Sequence, residues 1–164
     1  MKHSIPSKNS QPAFLLLHGF GGDPWEVEPL AAALRERGCL VAVPTIKGLS
    51  ISSRKDMARY AYEEWIWAAE KAYKALKIQS DKIILAGFST GGLIAVHLAI
   101  RHNPDAIIFM STPVKHWDLK RIMKNLGEDI KNRTPDHLGY YLKSTIKFPL
   151  RALWEFKRIQ SETK

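Results

Sequence analysis

The 164-residue chain is 45% apolar and 25% charged, an ordinary globular mixture at a length that fits one domain with a real core. Its formal net charge of +9 falls mostly on residues 112–164, where twelve Lys/Arg face six Asp/Glu; these charges are spread over helix-like segments without a dense run, so a solvated helical face is expected rather than nucleic-acid binding. The lone cysteine, Cys39, excludes an internal disulfide and a thiolate zinc cluster and reads as a small buried hydrophobe, while the absence of a membrane-length apolar run or a signal-peptide core leads to the expectation of a cytoplasmic protein.

Taken in order, residues 1–12 form a polar leader with Pro6 and Pro12. Ala13-Phe14-Leu15-Leu16-Leu17-His18 is a continuous apolar run of strand length, the pattern of a parallel strand covered on both faces. It opens into the compact loop His18-Gly19-Phe20-Gly21-Gly22-Asp23-Pro24. From Trp25 to Arg37 the positions Val27, Leu30, Ala31 and Leu34 recur at helical spacing, and Gly38 stops the helix. A second buried strand is expected over Cys39–Val43, closed by Pro44, then a loop from Thr45 to Ser53. Arg54 to Leu76 reads as one long helix whose Trp and Tyr stripe is core packing rather than a binding box.

The next stretch, Lys82-Ile83-Ile84-Leu85-Ala86-Gly87-Phe88-Ser89-Thr90-Gly91-Gly92, joins an apolar strand to a Gly-x-Ser-x-Gly turn and a helix running to about His102. A serine on so sharp a strand-to-helix turn is pressed toward unfavourable backbone angles, and Gly87 and Gly91 lack the side chains that would keep strand and helix apart. The turn lifts the hydroxyl of Ser89, the candidate nucleophile, to the amino end of the helix, where orphan N–H groups favour developing negative charge. The N–H of Thr90 is one such group. The N–H of Phe20, from the glycine-rich loop at the carboxyl end of the first strand, is its expected companion. His18 sits in the strand exit and is assigned a bracing role beside Gly19. Asn103-Pro104 ends the helix, and Asp105–Ser111 is expected to be a fourth buried strand. The alternation predicts a parallel sheet with right-handed crossovers and an active edge at the strands' carboxyl ends.

His18-Gly19-Phe20-Gly21-Gly22, the later Pro44-x-x-Lys47-Gly48 and Gly87-Phe88-Ser89-Thr90-Gly91-Gly92 together resemble the amino-terminal half of an α/β-hydrolase of the small carboxylesterase and monoacylglycerol lipase (serine aminopeptidase S33-like) group. The resemblance implies a partial α/β-hydrolase fold over residues 13–113, with a helical cap-like segment over 114–164. It implies carboxylic ester hydrolysis through an acyl-enzyme on Ser89, an oxyanion hole from the N–H groups of Phe20 and Thr90, a small-molecule ester as substrate, and no cofactor or metal. One local departure is Gly48-Leu49-Ser50, where many relatives have Gly-His-Gly.

The larger departure lies downstream. The family's acid and histidine follow the serine on loops after further strands, yet His116–Arg133 and Pro135 to about Gln160 read as helices, with Leu119, Ile122, Met123, Leu126 and Ile130 on one stripe. His97 lies about 12 Å of helical rise from Ser89, and His102 farther. His116 and Asp118 are the surrogates that geometry leaves open; His137 and Asp136 fall in the cap-like segment. The expectation is therefore a truncated hydrolase completed by a second chain or C-terminal half that supplies Asp and His. The other readings are an inactive remnant or ligand-binding module and an interaction protein using its basic helical tail.

Overall fold

The computed structural model describes residues 11–50, 54–113 and 148–163. Four parallel strands make one sheet in the order β2-β1-β3-β4: β1 Ala13–Leu17, β2 Leu40–Ala42, β3 Ile83–Phe88 and β4 Ala106–Met110. The register pairs Ala13 with Leu40 and with Ile83, and Ile84 with Ala106, so β1 and β3 form the centre. Their apolar runs follow from that position. Leu15 and Leu17 face one layer and Leu16 the other, and all three are fully buried.

Helices cover both faces. After a 3₁₀ turn over Pro24–Glu26, α1 (Glu28–Glu36) closes over Leu16 and Ala86 with Val27 and Ala31. On the opposite face α3 (Tyr62–Gln79) and α4 (Thr90–His102) bring Trp65, Ile66, Leu93, Ile94 and Leu98 onto Leu15, Leu17, Ile83 and Leu85. Burying a side chain of this size stabilises by about 1.5–3 kcal/mol, which is why these two layers hold the sheet. The C-terminal helix α5 (Leu150–Glu162) packs on α3 and α4 and buries Ala152 and Ile159 completely. Its Glu155, 1% exposed, accepts hydrogen bonds from the Tyr62 N–H (3.3 Å) and from Arg158 (3.0 Å), while Arg158 also reaches Glu63 at 2.7 Å.

Several sequence expectations are corrected. The single helix expected from Arg54 to Leu76 is two: α2 (Arg54–Met57) and α3, separated by a turn in which the N–H groups of Arg59 and Tyr60 both donate to the Asp56 carbonyl. Ala61 is extended, and the Glu64 carboxylate accepts its N–H at 2.8 Å, so α3 starts afresh there. The stripe is also divided: Trp65, Tyr62 and Tyr73 are core, but Trp67 is 63% exposed with the Lys71 ammonium 5.5 Å from its ring. β2 is short and half-buried because it is a sheet edge, and Cys39, just outside it, is half-buried rather than buried.

β4 forms the other edge. Its expected burial fails: Ile108 and Phe109 are 42% and 52% exposed, since among the described residues no strand lies beyond it. The helix expected over His116–Arg133, the surrogates His116 and Asp118, and His137 with Asp136 lie outside the described residues. So do the first ten residues of the leader and the part of the second expected helix before Phe148. Among the described residues no helix is long and apolar enough to cross a membrane.

Candidate active site

The site is built at the carboxyl ends of β1 and β3. Ser89 is the cap residue of α4, with φ 51° and ψ −118°, a conformation that costs a non-glycine residue on the order of 1–3 kcal/mol and persists only where the surroundings impose it. The surroundings do impose it. The Ser89 N–H donates to the Met110 carbonyl of β4 at 2.8 Å, and its own carbonyl accepts the Gly92 N–H at 3.0 Å. A Cβ on Gly87 would stand 2.3 Å from the Gly92 nitrogen, and one on Gly91 would stand 2.2 Å from the Leu17 carbonyl oxygen. Strand, turn and first helical turn are thus in backbone contact, and only glycine fits at those two places.

The loop after β1 comes against the serine. A Cβ on Gly19 would lie 3.1 Å from the Ser89 Cβ, so the two main chains are adjacent there. The N–H groups of this loop are distributed one by one. Gly19 donates to the Glu26 carboxylate (2.9 Å), Gly21 to the Leu49 carbonyl (2.8 Å) and Gly22 to the Gly19 carbonyl (3.3 Å). The N–H of Phe20 has no acceptor among the described residues, and neither has that of Thr90 at the start of α4. The amino end of a 13-residue helix adds its partial positive charge at this point.

His18 is fully buried. The Ile46 N–H donates to its Nε2 (3.1 Å), so the ring proton sits on Nδ1 and is given to the Gly19 carbonyl at 3.1 Å. Burial lowers its pKa below the ordinary histidine value of 6.5, against smaller opposing effects of the Gly19 bond and of Glu26 and Asp23. Both nitrogens being engaged, His18 ties the Gly19 loop to the loop after β2. His97 hydrogen-bonds Thr163 at 3.2 Å and has its pKa lowered by burial and by Arg101; His102 pairs with Glu70 at 3.0 Å. None of these three is directed at Ser89.

The Phe20 ring lies at 5.0 Å from Phe148, 5.5 Å from Phe156 and 6.1 Å from Trp65, so the C-terminal segment covers the loop that carries its N–H. An open cleft of about 560 Å³ runs beside this loop, lined by Asp23, Trp25, Lys47, Ser50 and Asp56 among others; Ser89 is not part of its wall. Among the described residues no three His, Cys, Asp or Glu side chains are grouped as a metal site would need. Two contributors had no signal in the sequence. Glu26 reads there as one more polar residue of a helix, and Leu49 acts through its carbonyl, which no residue pattern reports.

The family model of the alpha/beta hydrolase fold matches residues 12–156. The thermostable monoacylglycerol lipase of Bacillus sp. (strain H-257) is 30% identical over 170 residues, spanning 96% of this chain and 65% of that protein. The carboxylesterase of Bacillus subtilis (strain 168) is 25% identical over 155 residues, spanning 89% of this chain and 62% of that one. A solved structure from work on LipS and LipT, two metagenome-derived lipolytic enzymes, superposes with a TM-score of 0.62 at 25% identity, covering 71% of this chain and 49% of the other. The chain thus spans a little under two thirds of the length of these curated relatives.

Proposed function

The chain belongs to the alpha/beta hydrolase fold family, and from that premise we propose that it is a serine hydrolase of carboxylic esters with Ser89 as nucleophile. The observation that carries the reading is the strained Ser89 turn with two N–H donors, those of Phe20 and Thr90, that have no acceptor among the described residues, on the elements that flank it. The names of the relatives, monoacylglycerol lipase and carboxylesterase, support an ester with an apolar acyl chain.

In this mechanism the Ser89 Oγ attacks the ester carbonyl carbon as a base removes its proton. The carbonyl oxygen becomes an oxyanion, which the N–H groups of Phe20 and Thr90 receive. The carbon–alkoxide bond then breaks, the alcohol leaves with the proton, and water hydrolyses the acyl-serine by the same steps. His18, His97 and His102 are all engaged elsewhere. We therefore place the base and its orienting acid on polypeptide outside the described residues, in a second chain or C-terminal half, with His116 and Asp118 as the candidates within this chain.

The test is labelling with a fluorophosphonate, beside Ser89→Ala, of the chain alone and together with the polypeptide encoded downstream. The expected result is labelling only in the mixture, lost in the variant. Fast labelling of the chain alone would put the base within it and make His116→Ala the next substitution. A folded chain that labels under neither condition sinks the serine-hydrolase reading and leaves ester binding without turnover.

A further inference from the structure

We propose that Glu26 is the positioning residue of the oxyanion loop: its carboxylate takes the Gly19 N–H and thereby leaves the next N–H, that of Phe20, as the free donor beside Ser89. The inference rests on the assignment of Ser89 and Phe20 made above and extends it to a residue outside the motifs. Three observations meet at this carboxylate. It accepts the Gly19 N–H at 2.9 Å. It lies over Gly22 so closely that a Cβ there would stand 1.9 Å from Oε2. It is also 3.4 Å from the position of a Gly19 Cβ, the same point that lies 3.1 Å from the Ser89 Cβ, so the carboxylate is within roughly 6.5 Å of the serine Cβ by simple addition.

Glu26 can do this because its own backbone is fixed. It closes the 3₁₀ turn Pro24–Glu26, in which its N–H donates to the Asp23 carbonyl at 3.0 Å. Pro24 pre-sets the backbone angle of that turn. An ionised acceptor holds a backbone N–H about twice as strongly as a neutral one. Four successive residues of this loop, Gly19 to Gly22, carry three N–H groups with acceptors among the described residues and one without. Releasing the Gly19 N–H frees the His18–Gly19 peptide plane. The next plane, which carries the Phe20 N–H, keeps the bonds that its Gly19 carbonyl accepts from His18 Nδ1 (3.1 Å) and from the Gly22 N–H (3.3 Å), so the Phe20 N–H is displaced only through the shared Gly19 Cα. Gly22 is then required for a reason distinct from its own backbone: any side chain there expels the carboxylate.

The experiment compares Glu26→Ala, Glu26→Gln, Gly22→Ala and the Gly22→Ala/Glu26→Ala pair in two readouts. The first is amide hydrogen exchange and amide chemical shift by NMR, which needs no activity. In Glu26→Ala the Gly19 amide should exchange at least about tenfold faster, the loss of one hydrogen bond, and the Phe20 resonance should move while Leu15 and Leu16 keep their protection. The second is the second-order rate of fluorophosphonate labelling in whichever condition labels the unsubstituted chain. Glu26→Ala should label about tenfold more slowly, and Glu26→Gln, which keeps an acceptor, should recover to within about threefold. Gly22→Ala should match Glu26→Ala, and the pair should be no slower than either, because one contact is being removed twice.

Unchanged labelling in Glu26→Ala, or a Phe20 amide that does not move, overturns the proposal. A Glu26→Gln as slow as Glu26→Ala overturns it too, because a retained acceptor for the Gly19 N–H would then restore nothing. If the unsubstituted chain labels under no condition, the nucleophile assignment for Ser89 fails by itself, and the Gly19 and Phe20 amides decide the place of Glu26 alone.

Discussion

At the scale of single residues, strain falls on the candidate nucleophile itself. Ser89 has a positive φ because β3 and α4 join there in backbone contact, and glycine would adopt that conformation freely. Ser89→Gly should therefore raise the unfolding free energy by about 1–2 kcal/mol in a urea titration while removing the candidate nucleophile; a variant less stable than the parent would show that the turn is not strained. His18 makes a second residue-scale prediction. Its pKa is lowered by burial from 6.5, so the folded state binds fewer protons than the unfolded chain. Its contribution to stability is complete above pH 6.5 and is lost as pH falls below that value toward the lowered folded pKa, and the half-buried His97 acts in the same sense. The expected slope is at most about 1.4 kcal/mol per pH unit for each of the two protons. His18→Gln should remove its share in unfolding curves measured across this range. The Ser89 turn was readable from the sequence because backbone crowding admits only glycine at 87 and 91. Glu26 was not, since a carboxylate that binds a main-chain N–H seven residues away leaves no spacing rule.

At the scale of elements, the apolar runs located the four strands and the order of helices between them; for β1 and β3 this follows from burial on both faces, while β2 and β4 carry the same apolar runs as half-buried or exposed edges. The break between α2 and α3 was hidden. No glycine or proline stands between Arg54 and Leu76. The chain turns there through contacts distant in sequence: a Cβ on Gly48, whose φ is 88°, would stand 2.7 Å from the Tyr60 Cβ and 2.5 Å from the Trp65 indole nitrogen. A fold-level contact thus overrode a helical pattern. The C-terminal helix raises a question that stability can answer. α5 buries Ile159 in the same cluster as Trp65 and Leu98, and its Glu155–Arg158 pair is anchored on Tyr62 and Glu63 of α3. If α5 unfolds together with the core, Ile159→Ala should cost about 2–5 kcal/mol in a single cooperative transition. A cost near zero, with early loss of amide protection confined to residues 150–162, would mean that α5 opens by itself.

At the scale of the whole molecule, the two edges of the sheet formed by the described residues differ in kind. β2 is a short edge, and such edges resist pairing. β4 is five residues long, and one side of its backbone is paired to β3 while no strand lies on the other side among the described residues. Ile108 and Phe109 are exposed on it, and Ile100 on α4 is 77% exposed. The downstream sequence, which reads as helices rather than further strands, already points to an unpaired edge; which side chains stand exposed on it was not legible, because an apolar run tells that a strand exists and not what covers it. The physical consequence is a surface that seeks apolar contact and an edge that seeks hydrogen bonds. β4 also accepts the Ser89 N–H through the Met110 carbonyl, so this edge lies next to the candidate nucleophile, where the proposed completing polypeptide would have to reach. The isolated chain should therefore self-associate with rising concentration in sedimentation velocity. Phe109→Lys, which adds a charge to the edge without touching the buried layers, should shift it toward monomer and leave the circular dichroism spectrum unchanged. A parent chain that stays monomeric while it keeps its fold would show that the edge is already protected, and the argument for a completing polypeptide would then lose its structural support.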